Sequence, residues 1–109
     1  MELNEYQKWA MRTKKEYACQ KDQIINSLLG LSGESGEVCD MFKKHYSHCK
    51  ELNRTDIVKE LGDIMWYIAE LGDAFDITME EIAQTNIDKL HARHGEKFSG
   101  YGNRTGAGK

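Results

Sequence analysis

Residues 57–74 read IVKELGDIMWYIAELGDA. Ile57, Leu61, Ile64, Met65 and Ile68 recur at three- and four-residue steps, which is the spacing of one helix face. No two-residue alternation competes with it. The same spacing recurs upstream in Ile24, Leu28, Leu31, Val38 and Phe42, and nearer the start in Leu3, Tyr6, Ala10, Thr13 and Tyr17. These stripes predict a first helix opening at Asn4, with Gln7 three residues on. A second follows over roughly 22–49 and a third over roughly 55–74. A fourth begins where Thr78 can cap, Glu81 can complete a capping box, and Ile77 and Ile82 can form a hydrophobic staple. It ends near Gly95.

The 109 residues contain no proline, so nothing forces a break where a helix would continue. The fold class is all-α, a bundle of about four or five helices. A chain this short buries somewhat under about 70% of its unfolded surface, so homo-oligomerisation is expected to complete the bundle. Five of the ten glycines lie between Gly95 and Gly108. Residues 1–98 therefore read as one domain and residues 99–109 as a flexible Gly-rich tail.

Composition removes several function classes. The net charge of −3 argues against a protein that coats a nucleic-acid polymer by charge. No apolar run approaches the roughly 18–20 residues of a membrane span, and the charged N-terminus does not read as a secretory signal. Cys19, Cys39 and Cys49 are odd in number and form no CxxC, so they read as reduced thiols in a cytoplasmic chain.

Two acidic clusters draw attention, Glu34 with Glu37 and Glu60 with Asp63. Acids three apart occur six times in this sequence, where random placement would give roughly three, so the spacing alone decides little. Helical phase says more. Glu34 and Glu60 each lie roughly 80° from the centre of their apolar stripe, and Glu37 and Asp63 each roughly 140°. The two helices present their acids in matching phase, at the border of the expected core. Unpaired carboxylates are costly there. A hard divalent cation that prefers oxygen ligands would remove that cost. The tetrapeptide Glu-Leu-Gly-Asp recurs at 70–73, but Glu70 falls roughly 160° from the stripe and is expected to face solvent. Gly33, Gly36 and Gly62 adjoin the acids. They suit either close helix packing or close approach of an ion or phosphate.

At these residues the chain resembles the MazG-like all-α nucleoside triphosphate pyrophosphohydrolases. Glu34-x-x-Glu37, a gap of 22 residues, and Glu60-x-x-Asp63 are similar to the EXXE…EXXD signature of that family. The flanking LGLSGESGEVCD and the downstream Asn86-x-x-Lys89-x-x-x-Arg93 resemble it too. The resemblance implies cleavage of (d)NTP to (d)NMP and pyrophosphate with Mg²⁺, or Mn²⁺ in its place, as a housekeeping activity on nucleotide pools. Glu34, Glu37, Glu60 and Asp63 would be the metal ligands and catalytic acids. Lys89 and Arg93 would contact phosphates, across a subunit interface in one arrangement, with Asn86 a further substrate-binding residue, and the chain would form a homodimer or a dimer of dimers.

Lys89 and Arg93 are one turn apart, with Asn86 on the same face. By spacing alone they could equally complement the dipole of a helix C-terminus. Tyr67 lies between Glu60 and Asp63 in phase and is expected to face the site as a substrate-binding residue. Trp66 points away from the stripe, where it could stack on a base or bury in a subunit interface, and the interface is the favoured reading. Trp9 and Gln7 are weaker candidates for the wall of a base pocket. The HxxH pairs His45/His48 and His91/His94 lack a standard zinc spacing. The alternative to an enzyme is a helical binding or regulatory dimer module, suggested by Trp66 and the tail.

Overall fold

The computed structural model of the chain describes residues 1–95. The expected tail at 99–109 lies outside them. Among the described residues there are four helices and no strand: α1 Leu3–Met11, α2 Gln20–His48, α3 Arg54–Ala74 and α4 Met79–His94. The molecule measures 47 × 43 × 23 Å. Its short dimension is only about two helix diameters. No helix is long and apolar enough to cross a membrane, among the described residues.

The helix ends follow capping chemistry. The Asn53 side chain accepts from the Thr55 and Asp56 N–H groups and starts α3. Thr78 accepts from the Glu81 N–H and starts α4, the cap its sequence predicts, without the return bond from the Glu81 side chain that a capping box would add. The start of α1 differs from expectation. Glu2 is the cap residue, and its N–H donates to Glu5 Oε1. Asn4 instead accepts from the Glu80 N–H at 2.9 Å, so it satisfies the first turn of α4 rather than its own helix.

Antiparallel α2 and α3 form the body of the fold, joined along a polar seam. Gln23 Nε2 donates to Asp73 Oδ2 at 2.9 Å, and Ser27 Oγ donates to Glu70 Oε1 at 2.9 Å. Gly30 meets the Tyr67 ring, and a carboxylate oxygen of Glu34 comes within 4.8 Å of one on Asp63. Each rung advances three or four residues on α2 and retreats three or four on α3, the repeat of two facing helix surfaces.

This seam corrects the expectation for Glu70, which is fully buried rather than facing solvent. The apolar stripe is not what joins α3 to α2. The seam runs beside it, at the phase of Asp63, and Glu70 is two turns from Asp63 on that same side. The stripes are instead substantially bare. Leu28 is 50% exposed and Leu61 49%, with Phe42 and Met65 exposed as well, and Leu29 and Val58 next to the stripes are more exposed still.

The interior of the chain is small and largely polar. Ala10, Ala69 and Met79 form the buried apolar cluster, while Gln7, Gln23, Ser27, Glu70 and His91 are the buried polar residues. Gln7 acts as a clamp and does not line the cleft at the acidic residues. Its Nε2 donates to the Ala69 and Ile77 carbonyls and its Oε1 accepts from the Met79 N–H, tying α1 to the turn between α3 and α4. Trp66 packs within the chain and not, as expected, outward. Its Nε1 donates to the Ala10 carbonyl and to Thr13 Oγ1, and its ring rests on the apolar cluster. Trp9 is exposed, with the Arg12 guanidinium 4.9 Å from its ring centre.

Gly30 is where absence of a side chain matters, because a Cβ there would overlap the Tyr67 ring. On helix propensity alone Gly30→Ala should stabilise by up to about 1 kcal/mol. We expect a loss of about 1–3 kcal/mol from overpacking instead. Urea denaturation checks the sign, and a stabilised variant would contradict this account of the seam.

Candidate metal centre

The seam carries its acids at the end away from Glu70. Carboxylate oxygens of Glu34, Glu60 and Asp63 lie within 4.8 Å of one another. Glu34 comes from the middle of α2. Glu60 and Asp63 come from successive turns of α3, so one helix pairing gathers all three. Glu34 and Glu60 are half-buried and Asp63 is exposed. Burial pushes the Glu34 carboxyl above its ordinary value of 4.5, with the negative charges of Asp63 and Glu60 and the hydrogen bond to Asp63 adding to it. Three carboxylates so close repel one another unless a proton or a cation intervenes.

The residues present fit a cation. Glu60 Oε2 is buried with no hydrogen-bond partner, and such an atom costs stability unless something supplies positive charge or a donor. Oxygen-only donors suit a hard divalent ion that retains waters for a substrate to displace. Glu37, the fourth expected acid, stands one turn beyond Glu34 and is exposed. It is outside the trio, though its charge is felt at Glu34.

Beside the trio is a cleft of about 350 Å³ lined by Glu34, Asp63, Trp66 and Tyr67. The Trp66 and Tyr67 rings meet edge to face, 5.0 Å between centroids. Tyr67 thus stands where its phase predicts. Asn86, Lys89 and Arg93 are exposed on α4 and do not line this cleft.

The sequence gives no sign of two further neighbours. Tyr6, on α1, is near enough to feel the site, since burial followed by the charge of Asp63 raises its hydroxyl pKa. Its spacing marks it only as one more stripe residue. Gly30 lies outside both acid motifs, and nothing local separates it from Gly33, Gly36 and Gly62. Those three have open space where a Cβ would stand, so close packing within the chain does not account for them.

Comparison with known proteins gives the family. Residues 23–98 match the MazG nucleotide pyrophosphohydrolase domain, and the chain belongs to that family. It is similar to the Gene 37 protein of Mycobacterium phage L5, with 38% identity over 69 residues, 60% of each chain. The chain thus spans about 60% of that relative's length. No solved structure matches the chain.

The raised Glu34 pKa has a consequence for stability. The folded chain keeps a proton that the unfolded chain releases above about 4.5. This group therefore costs stability increasingly as pH rises from there through its raised value, and fully above it. A bound divalent cation replaces the proton and removes the cost. In chelator, the melting temperature of wild type should fall as pH rises through that window, more steeply than that of Glu34→Gln. At neutral pH, Mg²⁺ should raise the melting temperature of wild type and not of the variant. Equal responses from both proteins would contradict the assignment.

Proposed function

We propose that this chain is a Mg²⁺-dependent nucleoside triphosphate pyrophosphohydrolase, releasing pyrophosphate and a nucleoside monophosphate from (d)NTP, with Mn²⁺ able to replace Mg²⁺. The observation that carries this reading is the convergence of Glu34, Glu60 and Asp63 with an unpartnered buried oxygen on Glu60. Family membership narrows the chemistry to a nucleotide anhydride.

In the reaction, the oxygen of water bonds to phosphorus and the anhydride between the first and second phosphates breaks. A triphosphate resists this because its charges repel the nucleophile. A divalent ion held by Glu34, Glu60 and Asp63, with Glu37 at the rim, would neutralise phosphate oxygens and lower the pKa of a bound water. The residues of the chain do the rest. Tyr67 and Trp66 wall the cleft against which a base can lie. A carboxylate not engaged by the cation can take the proton from the attacking water.

Asn86, Lys89 and Arg93 are the proposed phosphate contacts, and they stand outside the cleft of their own chain. A second copy offers the means to bring them in. The half-exposed Leu28, Leu29, Val58 and Leu61 support a homodimer or a dimer of dimers, since monomers rarely leave so much apolar surface in water.

Each dNTP and NTP, incubated with Mg²⁺ and assayed for pyrophosphate, tests the activity. At least one should be hydrolysed, and Glu60→Gln should lower turnover by about a hundredfold or more. Absence of hydrolysis above that variant with every triphosphate would refute the reading. For assembly, light scattering should report a dimer or larger for wild type, and Leu28→Lys should shift it toward monomer. A monomeric wild type at micromolar concentration would overturn the oligomer.

A further inference from the structure

Glu70 sits two turns from Asp63 on α3, about 10 Å along the axis, and touches none of the proposed ligands. Its full burial requires explanation. A carboxylate away from water is tolerated only when donors surround it. Glu70 has three. Tyr17 Oη donates to Oε2 at 2.6 Å, Ser27 Oγ to Oε1 at 2.9 Å, and Asn26 Nδ2 to Oε1 at 3.2 Å. Asn26 also donates to the Tyr17 hydroxyl at 2.8 Å, closing the network. Burial and the hydrogen bond to Glu70 push the Tyr17 hydroxyl up to about 12, so it stays a donor at any physiological pH.

These donors come from the connection between α1 and α2 and from α2 itself. They therefore fix α3 against both segments. A slide of α2 along α3 by one residue, about 1.5 Å, would misplace the Ser27 and Asn26 bonds at once. Apolar contact cannot set register so sharply, being non-directional, and here the stripes of both helices are half bare. Ser27 stands seven residues before Glu34, and Glu70 seven after Asp63. The same register that closes the Glu70 network brings Glu34 to Asp63. Repulsion among Glu34, Glu60 and Asp63 works to part the helices at that end, while the network resists at the other.

From this geometry we infer that Glu70, held by Tyr17, Asn26 and Ser27, is a positioning residue that sets the register of α2 on α3 and thereby the divalent-cation affinity of the Glu34–Glu60–Asp63 trio. This inference rests on the reading of the trio as a metal site. It predicts a remote effect. Weakening the network lowers cation affinity in chain that is still folded.

The test is titration of the full chain with Mn²⁺, followed by the paramagnetic signal of the free ion, alongside melting temperatures. Ser27→Ala removes one donor without adding volume, and Glu70→Leu removes the acceptor. Both should weaken Mn²⁺ binding about tenfold, the range seen when supports of metal ligands are lost. Glu70→Gln is the conservative rescue. Its carbonyl can accept from Ser27 and Asn26 while its amide donates to the Tyr17 hydroxyl, so affinity should stay within about twofold of wild type. Met79→Ala, in the apolar cluster at the far side of α3, should lower the melting temperature and leave Mn²⁺ affinity unchanged. Wild-type affinity in Ser27→Ala would overturn the inference, whether or not Glu70→Leu folds. So would a loss in Met79→Ala equal to that in Ser27→Ala, which would reduce the effect to general destabilisation. If wild type itself binds no Mn²⁺, the metal-site reading fails, and the inference falls with it.

Discussion

A carboxylate on α3, Glu70, is buried where water does not reach it, and the surrounding chain supplies Tyr17, Asn26 and Ser27 as donors. Directional bonds to a buried charge are among the more demanding constraints on a helix pair, because a misplaced partner leaves the charge uncompensated. Everything along the α2–α3 seam is consistent with that register. Tyr67 lies on Gly30, where no side chain obstructs it. Beyond them Glu34 meets Asp63, and Glu60 joins from the turn before. Structure and chemistry occupy the two ends of one ladder of polar residues.

The division of labour in this chain is unusual for a small domain. Its buried residues are mainly polar, while leucines and valines of α2 and α3 stand half in solvent. Hydrophobic burial is the main force available to a protein of this size, so a single copy leaves much of it unused. The polar seam can then hold the helices in register while the apolar faces remain free for a second copy. This arrangement explains how the proposed phosphate contacts Asn86, Lys89 and Arg93 could lie outside the cleft of their own chain and still serve a site.

Much of this was legible in the residues. Four helices follow from three- and four-residue spacing in a chain without proline, and the start of α4 is visible in Thr78 alone. The matching phase of Glu34 and Glu60, each roughly 80° from its stripe, anticipates that both join one cluster. Glu70 was misread for an instructive reason. Taking the apolar stripe as the inner face places Glu70 outside, whereas the inner face of α3 is the one that carries Asp63. Phase relative to the acids, rather than to the leucines, would have placed it correctly. Trp66 was misread in the same way, because α1 covers the side of α3 assumed to be open. Asn4 and Gln7 hold distant segments, Glu80 in one case and Ala69, Ile77 and Met79 in the other. Local spacing carries no record of a partner some 60 or 70 residues away.

The central claim is that one α2–α3 register assembles a cation site from Glu34, Glu60 and Asp63. Anomalous diffraction at the manganese edge, from crystals of the full chain grown with Mn²⁺, tests it most directly. The account predicts a strong peak between those three carboxylates, with the Ser27–Glu70 hydrogen bond intact two turns away. A peak confined to other residues, or none at the trio with Mn²⁺ in excess, would contradict it.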